Sequence, residues 1–220
     1  MKKMTRYTGA GAIGMAVALS VATGRASADG PTCSGWEIEY ALNGSLKLAD
    51  TPMGAADGVH PVGPGRAVVR FEDHGGQPGG HARVVAYGMH EHVTVTSKAL
   101  FLSATVVTDT SSRGVSDGNG VVAEGALNDH TLVWSSPIRT YHTDGTITCD
   151  GGLCGKLGAP PPGTTEVHIG PRPIQPAAFQ YSSDMKTFSM GYVQTDRSES
   201  PRQTTYEAIS GREVRRTCLP

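Results

Sequence analysis

Apolar and polar residues alternate with a period of two in several segments of the chain beyond residue 30. Trp36, Ile38, Tyr40 and Leu42 fall on one side and Glu37 and Glu39 on the other, the pattern of a strand with one buried and one wet face. Asn43-Gly44 then reads as a hairpin turn, after which Leu46 and Leu48 resume the alternation. Between Arg66 and Asp109 three segments are rich in β-branched and aromatic residues: Arg66 to Phe71, Arg83 to Thr96 and Lys98 to Thr108. Residues 51 to 65 and the stretch His74 to His81 (HGGQPGGH) are too rich in glycine and proline for regular pairing and read as loops.

Short strands continue at Val121 to Glu124, Thr131 to Trp134, Ile138 to His142 and Thr146 to Cys149. Turn signals at Asn128-Asp129, Ser136-Pro137 and Asp144-Gly145 separate them. Glu166 to Ile169, Phe188 to Val193, Thr204 to Ile209 and Arg212 to Thr217 complete the set. The pattern predicts an all-β fold: a single antiparallel β-sandwich or β-barrel domain of about 8–11 short strands with long Gly/Pro-rich loops. The turn signals show where strands end and leave their order open.

The N-terminal segment changes the picture of where this domain resides. Lys2, Lys3 and Arg6 precede a small, apolar run from Gly9 to Ala22, and Ala26-Ser27-Ala28 fits a small-x-small cleavage site. Residues 1–28 are therefore expected to be a signal peptide, with residues 29–220 as one secreted or periplasmic domain that has no transmembrane segment. Loss of the leader removes four basic residues, leaving 15 against 20 acidic ones, a formal charge of −5. That field disfavours a general affinity for nucleic acid or an anionic membrane surface. Arg212, Arg215 and Arg216 are the local exception, expected on a solvated edge strand with Arg212 and Arg216 on one face and Arg215 on the other.

All four cysteines lie in the expected mature part, an even count suited to an oxidising compartment. Cys149 and Cys154 bracket Asp150-Gly151-Gly152-Leu153, a turn able to bring the two together, which leaves Cys33 to pair with Cys218. Loop-closure entropy assigns the long-range bond about 5 kcal/mol and the local one about 2 kcal/mol.

The candidate chemistry centres on His90 and His92. Residues two apart on a strand share a face, so the two imidazoles are placed to meet one metal ion. His90-Glu91-His92, with the later Pro161-Pro162-Gly163 and His168, is similar to the paired motifs of cupins. That resemblance implies a metal-dependent enzyme in a cupin-like barrel, with His90, His92 and His168 as ligands of one transition-metal ion. No glutamate stands four or five residues after His92, where a cupin carries one, and His168 lies two positions farther from Gly163 than the cupin spacing. The simpler expectation requires no cofactor: an exported, disulfide-stabilised domain acting as a non-catalytic binding or structural module of the cell envelope or extracellular space. Its partner would be a ligand or an envelope component. The convergence of the three histidines discriminates between these two functions.

Overall fold

The computed structural model describes residues 33–49, 58–134, 140–156, 159–173, 178–196 and 203–220. The expected leader, residues 51–57 of the predicted 51–65 loop and the Ser136-Pro137 turn lie outside them, whereas residues 58–65 of that loop are strand. The described chain is all-β, with strands β1 (Gly35–Ala49), β2 (Gly58–Asp73), β3 (Pro78–Ala99), β4 (Leu102–Gly114), β5 (Ala123–Asn128) and β6 (Thr131–Trp134). There follow β7 (Thr140–Asp150), β8 (Gly163–Pro173), β9 (Phe179–Tyr181), β10 (Thr187–Asp196) and β11 (Gln203–Leu219).

Antiparallel pairing runs β2–β1–β11–β10–β9–β6–β5–β3, and β3 returns to pair with β2. These eight strands therefore close into a barrel, which removes their edges. The remaining strands extend from the far half of β3, where Gly88–Ala99 pairs with β4, β4 with β7 and β7 with β8. β3 thus belongs both to the barrel and to a four-stranded wing.

The alternation expected on β1 is the one observed. Ile38, Tyr40 and Leu42 are buried inside the barrel with Val69, Phe71, Leu132, Phe179, Tyr181 and Phe188. Aromatic rings dominate this core: Phe179 stacks on Phe188 at 4.8 Å between centroids, and Trp134 meets Phe179 edge-on at 4.9 Å. On the wet side Glu37 pairs with Arg70 at 2.8 Å, and Glu39 with Arg66 at 2.5 Å and Arg215 at 3.2 Å. The hydrogen bond from Arg66 holds the Glu39 carboxyl below its ordinary range.

Several strands run longer than the turn signals predicted, because their glycines serve close approach. β1 passes straight through Asn43-Gly44, β7 through Asp144-Gly145, and β11 through Ser210-Gly211, which lies between the two segments expected there. A Cβ at Gly44 would strike the Ala208 carbonyl, one at Gly145 the Asp109 carbonyl, and one at Gly211 the ring of Phe188. The second half of the glycine-rich stretch after Asp73 is strand as well, residues 74 to 77 forming the turn between β2 and β3. At Asn128-Asp129 the turn is made as expected, with Asp129 and His130 at positive φ between β5 and β6.

The C-terminal arginines are not on an edge strand, since β11 lies between β1 and β10. An irregularity opposite Glu39/Tyr40 inserts Val214, so Arg215 stands opposite Glu39 and Arg216 opposite Ile38. This bulge puts Arg212 and Arg216 on opposite faces, where a regular strand would align them. Arg216 turns to donate to the Asp184 carbonyl at 2.8 Å and to Glu213 at 2.6 Å.

Both expected disulfides are present, Cys33–Cys218 and Cys149–Cys154. The first ties the start of β1 to the end of β11, and the second closes the turn after β7.

Candidate functional site

The histidines singled out in the sequence lie on the outer face of the wing. Register alone aligns them: His90 on β3, Ser111 on β4, Asp144 on β7 and His168 on β8 form one cross-strand row. The adjacent row is His92, Asp109, Thr146 and Glu166. Within these rows His92 Nδ1 lies 3.1 Å from Asp109, and His90 approaches Ser111 at 3.3 Å and Asp109 at 3.6 Å. His168 pairs with Asp144 at 3.1 Å and with Glu166 at 3.4 Å. The bond to Asp144, with Glu166 in support, raises the His168 imidazole above its ordinary range and lowers the Asp144 carboxyl.

His90 and His92 are neighbours on one face, as predicted, but His168 does not join them. It stands three strands away, about 14 Å at ~4.8 Å per step. Its partner in the cupin-like reading would need to lie within a few ångströms. The side chains of His92 and His168 are 57% and 69% exposed, so they face solvent and not an enclosed space. Among the described residues no group of three His, Cys, Asp or Glu side chains is placed to hold a metal ion. The rows are those of a solvated sheet face whose polar groups pair with their own neighbours, and the Thr96–Thr105 and Thr148–Thr164 hydroxyl contacts extend the same pattern.

A concave site among the described residues lies elsewhere, on the outer wall of the barrel where β9, β10, β11 and β1 pass side by side. Small side chains leave a groove of about 540 Å³ there. Asn43, Gln180, Ser189, Ser210 and Arg212 supply its polar lining, with Phe188 and Tyr181 beneath. The groove exists because Gly211 admits the Phe188 ring deep into the wall and because Ala41, Ser189 and Ser210 lack bulk. Its polar groups are hydroxyls, amides and one guanidinium, a set that recognises ligands through hydrogen bonds and a negative charge. Sequence reasoning passed over this site, since its residues come from four strands and carry no local signature. Arg212 was the single legible clue.

A second buried feature was also missed. Glu91 lies on the inner side of β3, opposite His90 and His92, near the apolar cluster of Leu46, Leu48, Val62 and Val93. Burial, helped by the charge of the buried Glu207 on β11, pushes the Glu91 carboxyl up to about 7. A lone acid in the alternation Met89, Glu91, Val93 was its only trace in the sequence.

Compared with known proteins, the chain matches no family model and no curated protein.

Proposed function

We propose that the chain is an exported, non-catalytic binding module of the cell envelope or extracellular space, and that the barrel groove holds its ligand. The observation that carries this reading is the groove itself: a half-open space of about 540 Å³ lined by Asn43, Gln180, Ser189, Ser210 and Arg212. Two disulfides in an all-β domain fit an oxidising location outside the cytoplasm. The hydroxyl and amide side chains suit the hydroxyls of a sugar, and Arg212 suits a carboxylate, for which a guanidinium offers two parallel donors. An acidic glycan is the ligand class that uses both.

A glycan array containing acidic and neutral sugars, probed with residues 29–220, tests the assignment, followed by calorimetric titration of the best ligand. The expected result is a preference for carboxylate-bearing sugars that Arg212→Ala lowers by tenfold or more and that Ser210→Trp blocks by filling the groove. An acidic ligand held equally well by all three proteins would sink the groove assignment. Absence of binding to any sugar would sink the glycan class.

A further inference from the structure

The wing ends in the β3–β4 hairpin, and the hairpin ends in an unusual turn. Ala99 pairs with Leu102, so Leu100 and Phe101 alone make the connection. Two-residue hairpin turns favour asparagine, aspartate and glycine because at least one central residue needs positive φ. Here that residue is Leu100, at φ 58°. Leu100 is 98% exposed and Phe101 90% exposed, the two most exposed of the large hydrophobic residues described. Two side chains that do not pack, one of them at a backbone angle that does not suit it, point to a role outside the folded chain.

The turn is also held rigid. Behind it Leu153 donates its backbone N–H to the Ser103 carbonyl at 3.2 Å, and Gly152 lies against the Leu102 side chain. Leu153 belongs to the segment closed by Cys149–Cys154, and both cysteines pack with Ala104, Val106 and Leu153 in a small core of their own. The local disulfide therefore braces the base of the hairpin. Polar groups begin immediately behind the apex: Lys98 stands opposite Ser103, Thr96 opposite Thr105 and Thr105 opposite Asp150, and the exposed Lys156 follows the braced turn.

We propose that Leu100 and Phe101 form a wedge that enters the interfacial layer of a lipid bilayer and holds this protein against a membrane. A convex apex of two side chains does not match a flat protein surface, whereas a fluid interface accommodates it without a prior pocket. Lys98 and Lys156 then lie at headgroup level, where cations and hydroxyls are solvated by phosphates and water. Only the apex is apolar, so the contact is shallow and reversible, and no strand crosses the bilayer. The wedge does not depend on the ligand assigned to the groove, because β3 lies four strands around the barrel from β10.

The test uses residues 29–220 and phosphatidylcholine vesicles, with and without a minority of phosphatidylglycerol. Trp36 and Trp134 belong to the barrel, so a Phe101→Trp variant reports on the apex as a difference from the parent protein. The expected result is a blue shift of that added emission on vesicle addition and its quenching by brominated lipid. Co-sedimentation of the parent protein should fall about 100-fold in Leu100→Ser/Phe101→Ser, each buried side chain of this class contributing about a factor of ten or more. Both substituted residues are exposed, and an unchanged circular dichroism spectrum and melting curve confirm that the variant folds. Vesicle binding that survives in that variant but vanishes in Lys98→Gln/Lys156→Gln would show a purely electrostatic contact and overturn the wedge. Tryptophan emission indifferent to both vesicle types would overturn it too, and would assign the apex to a pocket on a protein.

Discussion

Tyr40 and Tyr181 lie side by side in the barrel, ring centroids 6.0 Å apart, yet only one hydroxyl has a partner in the protein. Tyr40 donates to the Met185 carbonyl at 2.8 Å, while the Tyr181 hydroxyl is buried with none. A satisfied buried hydrogen bond contributes about 1 kcal/mol, and an unsatisfied buried hydroxyl costs a comparable amount. The two Tyr→Phe substitutions should therefore act in opposite directions. Tyr40→Phe should lower unfolding stability by about 1 kcal/mol, whereas Tyr181→Phe should leave it unchanged or raise it, as read from urea denaturation midpoints at constant m-value.

Glu91 predicts a pH dependence whose sign is opposite to that of most surface carboxylates. Its native pKa of about 7 lies above its ordinary 4.5, so between those values the folded protein retains a proton that the unfolded chain releases. This contribution is fully present below pH 4.5, declines as pH rises and is lost by about pH 7. The full span corresponds to about 3 kcal/mol. Glu91→Gln, measured against the parent protein by denaturation at successive pH values, should gain stability relative to it as pH rises from 4.5 to 7. A constant difference across that range would show that Glu91 ionises normally in the folded state.

The alternation of Ile38, Tyr40 and Leu42 against Glu37 and Glu39 was legible because a strand with one wet face writes its orientation into every second residue. The two cysteine pairs were legible for a related reason, since four residues of turn sequence determine one bond and leave a single partner for the other. Strand lengths were not. Gly44, Gly145 and Gly211 follow residues that favour turns, and nothing local distinguishes a glycine that bends the chain from one that admits a neighbouring carbonyl or ring. The same limit applied to function. His90 and His92 were placed correctly on one face, but the distance to His168 depends on strand order, which periodicity does not encode. The groove needed four strands from both ends of the chain, and Val214, whose bulge reverses the face of Arg216, reads in sequence as an ordinary strand residue.

The close-approach role of glycine gives a direct prediction. A Cβ at Gly211 would meet the Phe188 ring, which is itself locked against Phe179 and Tyr40. Gly211→Ala should therefore destabilise by about 2 kcal/mol through overpacking, and should also disturb the groove that this ring underlies. Gly118 has open space around it and serves as the control, Gly118→Ala being expected to fall within about 0.5 kcal/mol of the parent. Equal denaturation midpoints for the two variants would mean that the wall accommodates the methyl group by moving the ring.

The two disulfides should be separable by what their removal does, because they close loops of very different length. Cys33–Cys218 spans 185 residues and Cys149–Cys154 only five. Replacement of the long-range pair by serine should cost about 5 kcal/mol, most of the stability of an ordinary domain, while the local pair should cost about 2 kcal/mol. The smaller loss has the more local consequence. With Cys149 and Cys154 replaced, the turn carrying Leu153 is freed from the β3–β4 hairpin, so amide exchange should rise at Leu102, Ala104 and Val106. Exchange in β1 and β11 should remain slow. Loss of the terminal bond should produce the converse, faster exchange where Trp36 pairs with Cys218 and little change in the wing. Uniform acceleration of exchange across both regions in the local variant would show that barrel and wing unfold as one unit and that the brace has no effect of its own.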